Sequence, residues 1–170
     1  MGKPVFLVGY MASGKTTTGK KLARSIGYFF FDLDEEIEKL TGKNVPQIFS
    51  EEGEDAFRIL EHSLLVSLTN RKNIVVATGG GTPCYFNNMD LMKKSGVTVY
   101  FNLKPESLAK RLLVARVKRP LIEGIPASGL PEYIAGHLAR REEFYKLAHI
   151  TIKGESLNLE HLAQSVKEFL

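Results

Sequence analysis

Val5-Phe6-Leu7-Val8-Gly9-Tyr10-Met11-Ala12-Ser13-Gly14-Lys15-Thr16-Thr17 is the stretch on which the reading of the fold turns. Four apolar, β-favouring residues lead into Gly9 to Thr16, which fits GxxxxGK[ST] between a predicted strand and a predicted helix, the context that this pattern requires. A turn free of side-chain obstruction can close its N–H groups on phosphate oxygens, and the following helix adds the positive end of its dipole. Lys15 is then placed to neutralise β- and γ-phosphates, and Thr16 to offer its hydroxyl to Mg²⁺. The bland alternative is a glycine turn before a helix, and four fixed positions in the right context weigh against it.

Outward from this segment, short apolar β-rich runs recur at 28–31, 74–78, 97–102 and 149–153, separated by longer helix-like stretches. Phe57, Leu60, Leu64, Leu65 and Leu68 repeat at helical spacing within 52–69, as do Leu108, Leu112 and Ala115 after Pro105. Strands alternating with crossover helices predict an α/β fold: a five-stranded parallel sheet with helices on both faces. The stretch 118–131, with three prolines and two glycines, reads as a loop long enough to be a mobile lid.

The 170 residues suit one domain, and 44% hydrophobic with 25% charged residues suits an ordinary globular protein. No apolar run is long enough to span a bilayer and the start leaves no room for a signal peptide, so no membrane association and a cytoplasmic location are expected. Cys84, the sole cysteine, excludes an internal disulfide and a zinc site of the usual spacing. A formal charge of +4 suits a polyanionic substrate such as ATP; no aromatic-basic interleaving points to nucleic acid. A monomer is the default expectation. The phosphate loop alone does not separate kinases from GTPase switches or motor ATPases. The lack of an Asn-Lys-x-Asp motif and the small size leave small-molecule phosphoryl transfer as the leading class.

After the second predicted strand comes Phe31-Asp32-Leu33-Asp34. Strand alternation would turn both aspartates to one side at the C-terminal end of the sheet, where ligands sit in open parallel sheets. There Asp32 can hold Mg²⁺ through water, and Asp34 can accept the proton of an attacking hydroxyl; as a plain structural residue, Asp34 would be the N-cap of a helix over 35–40. Arg58 and Glu61 at i,i+3 would ordinarily be an exposed ion pair, Arg141 in Arg140-Arg141-Glu142-Glu143 part of a charged helical face, and Gly79-Gly80-Gly81 a tight turn.

Taken together these positions resemble the shikimate kinases. The likeness runs over almost the whole chain: the phosphate loop, Asp32-x-Asp34, Ile48-Phe49 followed by Gly53-Glu54-Asp55-Ala56-Phe57-Arg58, the three glycines, Arg119-Pro120-Leu121, and Arg141 four residues before Tyr145. The resemblance implies a P-loop kinase fold and ATP-dependent phosphorylation of shikimate to shikimate 3-phosphate, on the route to chorismate and the aromatic amino acids. It assigns ATP to Ala12, Ser13, Gly14, Lys15, Thr16 and Thr17, with Arg119 as the lid arginine and adenine contacts near Lys153. It assigns magnesium to Thr16 and Asp32, and the base role to Asp34. It gives the substrate carboxylate to Arg58 and Arg141, its ring to Phe49 and Phe57, and its backbone contacts to Gly79, Gly80 and Gly81. Lys15 and Arg119 would stabilise charge on the transferring group, and the lid would span about 112–126. Arg116 and Lys118 read as solvated loop charges. Ala12 departs from the glycine that the family often has there, which would strain the loop if position 12 needs a positive φ. The alternatives are a gluconate or nucleoside monophosphate kinase and a non-catalytic ATP-binding regulatory module.

Overall fold

All four side chains of β1 (Val5–Val8) are fully buried, as happens when a strand has neighbours on both sides and helices over both faces. The computed structural model describes residues 2–115 and 120–170. In it β1 pairs in parallel with β3 (Ile74–Ala77) on one side and β4 (Val97–Asn102) on the other. Beyond them lie β2 (Phe29–Asp32) and β5 (Ile150–Lys153), so the five-stranded, all-parallel order is β2-β3-β1-β4-β5. The predicted α/β class and strand number hold.

Right-handed crossovers distribute the helices. The connection from β1 to β2 runs opposite to the later ones, which puts α1 (Lys15–Ile26) on one face, where α7 (Leu159–Lys167) packs beside it. The other face carries α2 (Leu33–Thr41), α3 (Val45–Thr69), α4 (Asn88–Ser95), α5 (Pro105–Val114) and α6 (Leu130–Tyr145), with α2 packed on α3 and α5 on α6. β1 and its neighbour β3 send their chains to opposite faces, so a crevice opens at their C-terminal ends.

Strand ends shift by a residue at β2, β3 and β5, and four differences from the sequence expectation have a local reason. β2 begins at Phe29, because the Tyr28 amide instead donates to Ala23 O (2.8 Å) and closes α1. β2 runs into α2 without a loop, so Asp32 and not Asp34 is the N-cap: its Oδ1 accepts from the amides of Asp34 (3.1 Å) and Glu35 (3.3 Å). Asp34 therefore sits in the first helical turn, and strand alternation does not govern its direction. The predicted helix over 52–69 is the rear part of α3. Its front part starts at an Asn44–Gln47 capping box, and the two meet at Gly53, whose φ of 85° breaks the helix. In the described part of the 118–131 loop the chain makes two short 3₁₀ turns, Pro120–Ile122 and Ala127–Gly129, and α6 starts at Leu130. No helix among the described residues is long and apolar enough to cross a membrane.

Candidate active site

The N-terminus of α1 is prepared for an anion. Its N-cap, Gly14, supplies no side-chain acceptor, and no acidic residue occupies the first turn, so the leading amides face the loop that β1 delivers. The ammonium of Lys15 lies inside that loop, donating to Gly9 O (2.7 Å), Tyr10 O (2.8 Å) and Ser13 Oγ (3.3 Å). Ser13 is buried, Gly14 half-buried and Thr17 exposed at the rim. Thr16 Oγ1 donates to Asp32 Oδ2 (2.6 Å), which joins the loop to the end of β2. A hydroxyl and a carboxylate side by side are hard oxygen donors, a set that fits a divalent ion completing its shell with water and phosphate oxygens. Ala12 takes φ 61°, the left-handed conformation that disfavours a Cβ, so the strain anticipated at this position is present.

Across the crevice, the Gly79-Gly80-Gly81 turn after β3 is ringed by the remaining candidates. A Cβ placed on Gly79 would lie 3.3 Å from Asp34 Oδ1 and 3.1 Å from both Glu61 Oε1 and Thr82 Oγ1. One on Gly80 would lie 3.0 Å from an Arg141 nitrogen and 3.4 Å from the Met11 amide of the phosphate loop. Asp34, Arg58 and Arg141 thus converge on one turn that also touches the nucleotide side.

Arg58 and Glu61 are no exposed pair. The arginine is 7% exposed and the glutamate 0%. Nη1 donates to Glu61 Oε2 (3.0 Å), while Nε and Nη2 donate to Glu54 Oε1 (3.3 and 3.2 Å). Glu61 also accepts from the Thr82 hydroxyl. Burial opposes the guanidinium charge, but Glu61, Tyr85 and Glu54 outweigh it and hold its pKa above the ordinary value. Two N–H groups, one on each terminal nitrogen, have no partner among the described residues, and this fork faces Gly81. A Cβ there would come within 2.5 Å of Nη2 and 2.7 Å of Nη1, so only glycine fits against this edge of the guanidinium without displacing it. Phe57 is buried and Phe49 more than a third exposed; their rings lie 4.7 Å apart, forming an apolar wall beside the guanidinium.

Arg141 comes from α6 and is half-buried, 6.0 Å above the Tyr10 ring and beside the Tyr145 hydroxyl. Tyr145 in turn donates to Gly80 O (2.5 Å). One turn earlier on α6, His137 Nδ1 pairs with the Tyr10 hydroxyl at 2.8 Å. Burial pushes Tyr10 up to about 12; burial, with Arg141 and Arg140, holds His137 down to about 4. Both are neutral at physiological pH, and which of the two donates is set by the imidazole tautomer. His137 and Arg141, with Cys84, Tyr85 and Arg140, line an open cleft of about 400 Å³.

Arg119, with Arg116 and Lys118, lies outside the described residues. Lys153 ends β5, exposed and paired in register with Asn102; it makes no hydrogen bond or ion pair with the phosphate loop among the described residues. Three contributions escaped the sequence reading: Arg111 of α5, whose Nη1 reaches Ala12 O (3.5 Å), the Tyr10–His137 bond, and Tyr85 over Arg58. Arg111 resembles a solvated helical charge and Tyr10 fills a free position of the loop pattern, so neither carries a signal of its own.

A family model described as shikimate kinase matches residues 11–170, nearly all of the chain. The chain belongs to the shikimate kinase family. The shikimate kinase of Parabacteroides distasonis is 46% identical, over 93% of this chain and 91% of that one. The crystal structure of the shikimate kinase from Bacteroides thetaiotaomicron superposes with a TM-score of 0.90 at 38% identity, covering 98% of this chain and 97% of the other. The Acinetobacter baumannii shikimate kinase, solved in complex with shikimate, gives a TM-score of 0.87 at 36% identity, covering 99% and 92%. Membership in this family brings the use of ATP with it.

Proposed function

We propose that the chain transfers the γ-phosphoryl group of ATP to a ring hydroxyl of shikimate, with Asp34 taking the hydroxyl proton, and releases shikimate 3-phosphate and ADP. The observation that carries this reading is the turn at Gly79 to Gly81. On one side it meets a carboxylate and two guanidiniums, and on the other the Met11 amide of the phosphate loop, so acceptor and donor share a wall.

The roles follow from that placement. The amides of the loop from Ala12 to Thr17 and the Lys15 ammonium hold the phosphates. Thr16 and Asp32 hold Mg²⁺, which when bound neutralises charge on the β- and γ-phosphate oxygens. The Arg58 fork and Arg141 grip the acceptor carboxylate, and the Phe49–Phe57 wall meets its ring. A neutral sugar alcohol would leave Arg141, which has no carboxylate at ion-pair distance among the described residues, without an anion, and this disfavours uncharged acceptors. The attacking hydroxyl gives its proton to Asp34 as its oxygen bonds to the γ-phosphorus, and the bond to the bridging oxygen of ADP breaks. Arg119 is assigned to the transferring group. The whole chain is read as one kinase domain, with an acceptor segment at about 33–61 and a lid at about 112–126, monomeric and cytoplasmic.

Asp34→Asn tests the base. Turnover in a coupled ADP assay should fall about 10²–10⁴-fold with the ATP KM nearly unchanged, and normal turnover would refute the role.

A further inference from the structure

Arg58 is held by more than its two carboxylates, and the additional contact comes from a segment with no part in the transfer chemistry. Residues 82–88 form a hook against α3. At one end the Thr82 hydroxyl donates to Glu61, and Asn88 Nδ2 donates back to Thr82 O (2.9 Å). At the other end His62 Nδ1 bonds Asn88 Oδ1 (2.6 Å), and the Phe86 ring lies 4.9 Å from the His62 ring. Two adjacent residues of α3, Glu61 and His62, therefore grip the hook at both ends.

Between these grips Phe86 adopts φ 52°, a left-handed conformation that costs a bulky residue about 1–2 kcal/mol. The residue is 61% exposed, so burial gives little reason for that conformation. The residue that the turn presents is Tyr85. Its ring covers the Arg58 guanidinium, with Cζ 4.0 Å from the ring centroid, and its hydroxyl donates to Glu54 Oε1 (2.8 Å). That same oxygen accepts from Arg58 Nε and Nη2. Glu54 is half exposed and by itself a mobile anchor, which the phenol pins. In-plane hydrogen bonds leave a guanidinium able to tilt about the line joining its acceptors; an aromatic face against it removes that freedom.

We infer that Tyr85 is a positioning residue for acceptor recognition: clamped by the 82–88 hook, its ring and hydroxyl fix the plane of the Arg58 guanidinium so that its two remaining N–H groups meet a carboxylate. The inference rests on the reading that Arg58 holds the acceptor carboxylate. It makes Tyr85 a determinant of the preference for a carboxylate over an uncharged group at that position.

The test uses the full chain with Tyr85→Leu, Tyr85→Phe and Arg58→Lys, assayed with shikimate and with its methyl ester. Tyr85→Leu should raise the shikimate KM about tenfold, with kcat and the ATP KM within about twofold and little change in melting temperature. Its kcat/KM for the ester should stay near that of the unaltered chain, because the fork has no anion to meet. Tyr85→Phe keeps the ring and should recover most of the loss. Equal losses on acid and ester would make Tyr85 a packing residue and overturn the inference. So would a shikimate KM unchanged in Tyr85→Leu while Arg58→Lys raises it, and there the reading of Arg58 would stand. A shikimate KM unaffected by Arg58→Lys would remove that reading and the inference together.

Discussion

Arg58 and Arg141 face the same glycine turn and are held by opposite means. Arg58 is buried between Glu54 and Glu61 and sheathed in aromatic rings, so its charge is already balanced within the protein. Arg141 has no carboxylate within ion-pair distance among the described residues; a tyrosine hydroxyl and the face of Tyr10 are what it rests on. The difference separates two jobs that a carboxylate site must perform. On the proposed reading Arg58 would supply direction, since its guanidinium is fixed but its charge is already balanced. Arg141 would supply the net attraction, because no carboxylate among the described residues lies within ion-pair distance of it.

The largest expected effect strikes this contrast directly. Arg58→Leu leaves the Glu61 carboxylate buried without its partner and should cost about 3–5 kcal/mol of stability in urea denaturation. Arg141→Leu should change stability by less than about 1 kcal/mol but raise the shikimate KM by about 10- to 150-fold, the worth of a charged hydrogen bond. Equal destabilisation by the two would dissolve the contrast. Gly81→Ala sharpens it by blocking the Arg58 fork and leaving Arg141 alone: the shikimate KM should rise about tenfold and the ATP KM should not move.

Smaller effects probe the surroundings of Arg141. Burial and this arginine keep His137 neutral down to about pH 4, whereas the unfolded chain binds a proton near 6.5. Between those values the unfolded state holds the extra proton, so this residue's share of stability is intact above pH 6.5 and lost as the pH falls toward 4. Denaturation series at several pH values should show a shallower acid loss in His137→Gln, whatever its absolute stability. The smallest effect belongs to the nucleotide side, where Ala12→Gly relieves a left-handed alanine and should add up to about 1 kcal/mol in thermal melting, without altering the shikimate KM.

The phosphate loop could be read from the chain because its parts are contiguous: strand, turn, lysine and hydroxyl lie within thirteen residues, and local geometry brings them together. The acceptor side could not be read residue by residue. Arg58 and Glu61 resemble any exposed i,i+3 pair until Thr82 and the glycine turn close over them. The resemblance to a family supplied their grouping; hydropathy did not. Asp32 and Asp34 are legible as a pair, but the capping role that the sequence leaves open to Asp34 falls to Asp32, because nothing in Asp-Leu-Asp shows that a strand passes into a helix with no loop between. The Tyr10–His137 and Arg111–Ala12 contacts join residues about a hundred or more positions apart, and no periodicity reports such a meeting.

The central position of β1 also dictates an order of events as the chain leaves the ribosome. Its hydrogen-bonding neighbours are β3 and β4, and the strand that follows it in sequence, β2, is not one of them. Val5 must wait for Val75 before it has any partner, so an apolar segment stays unpaired through roughly seventy residues of synthesis. The nucleotide cradle hangs from that strand. ATP therefore meets no assembled cradle, and cannot assist the nascent chain, until β3 has emerged and paired with β1.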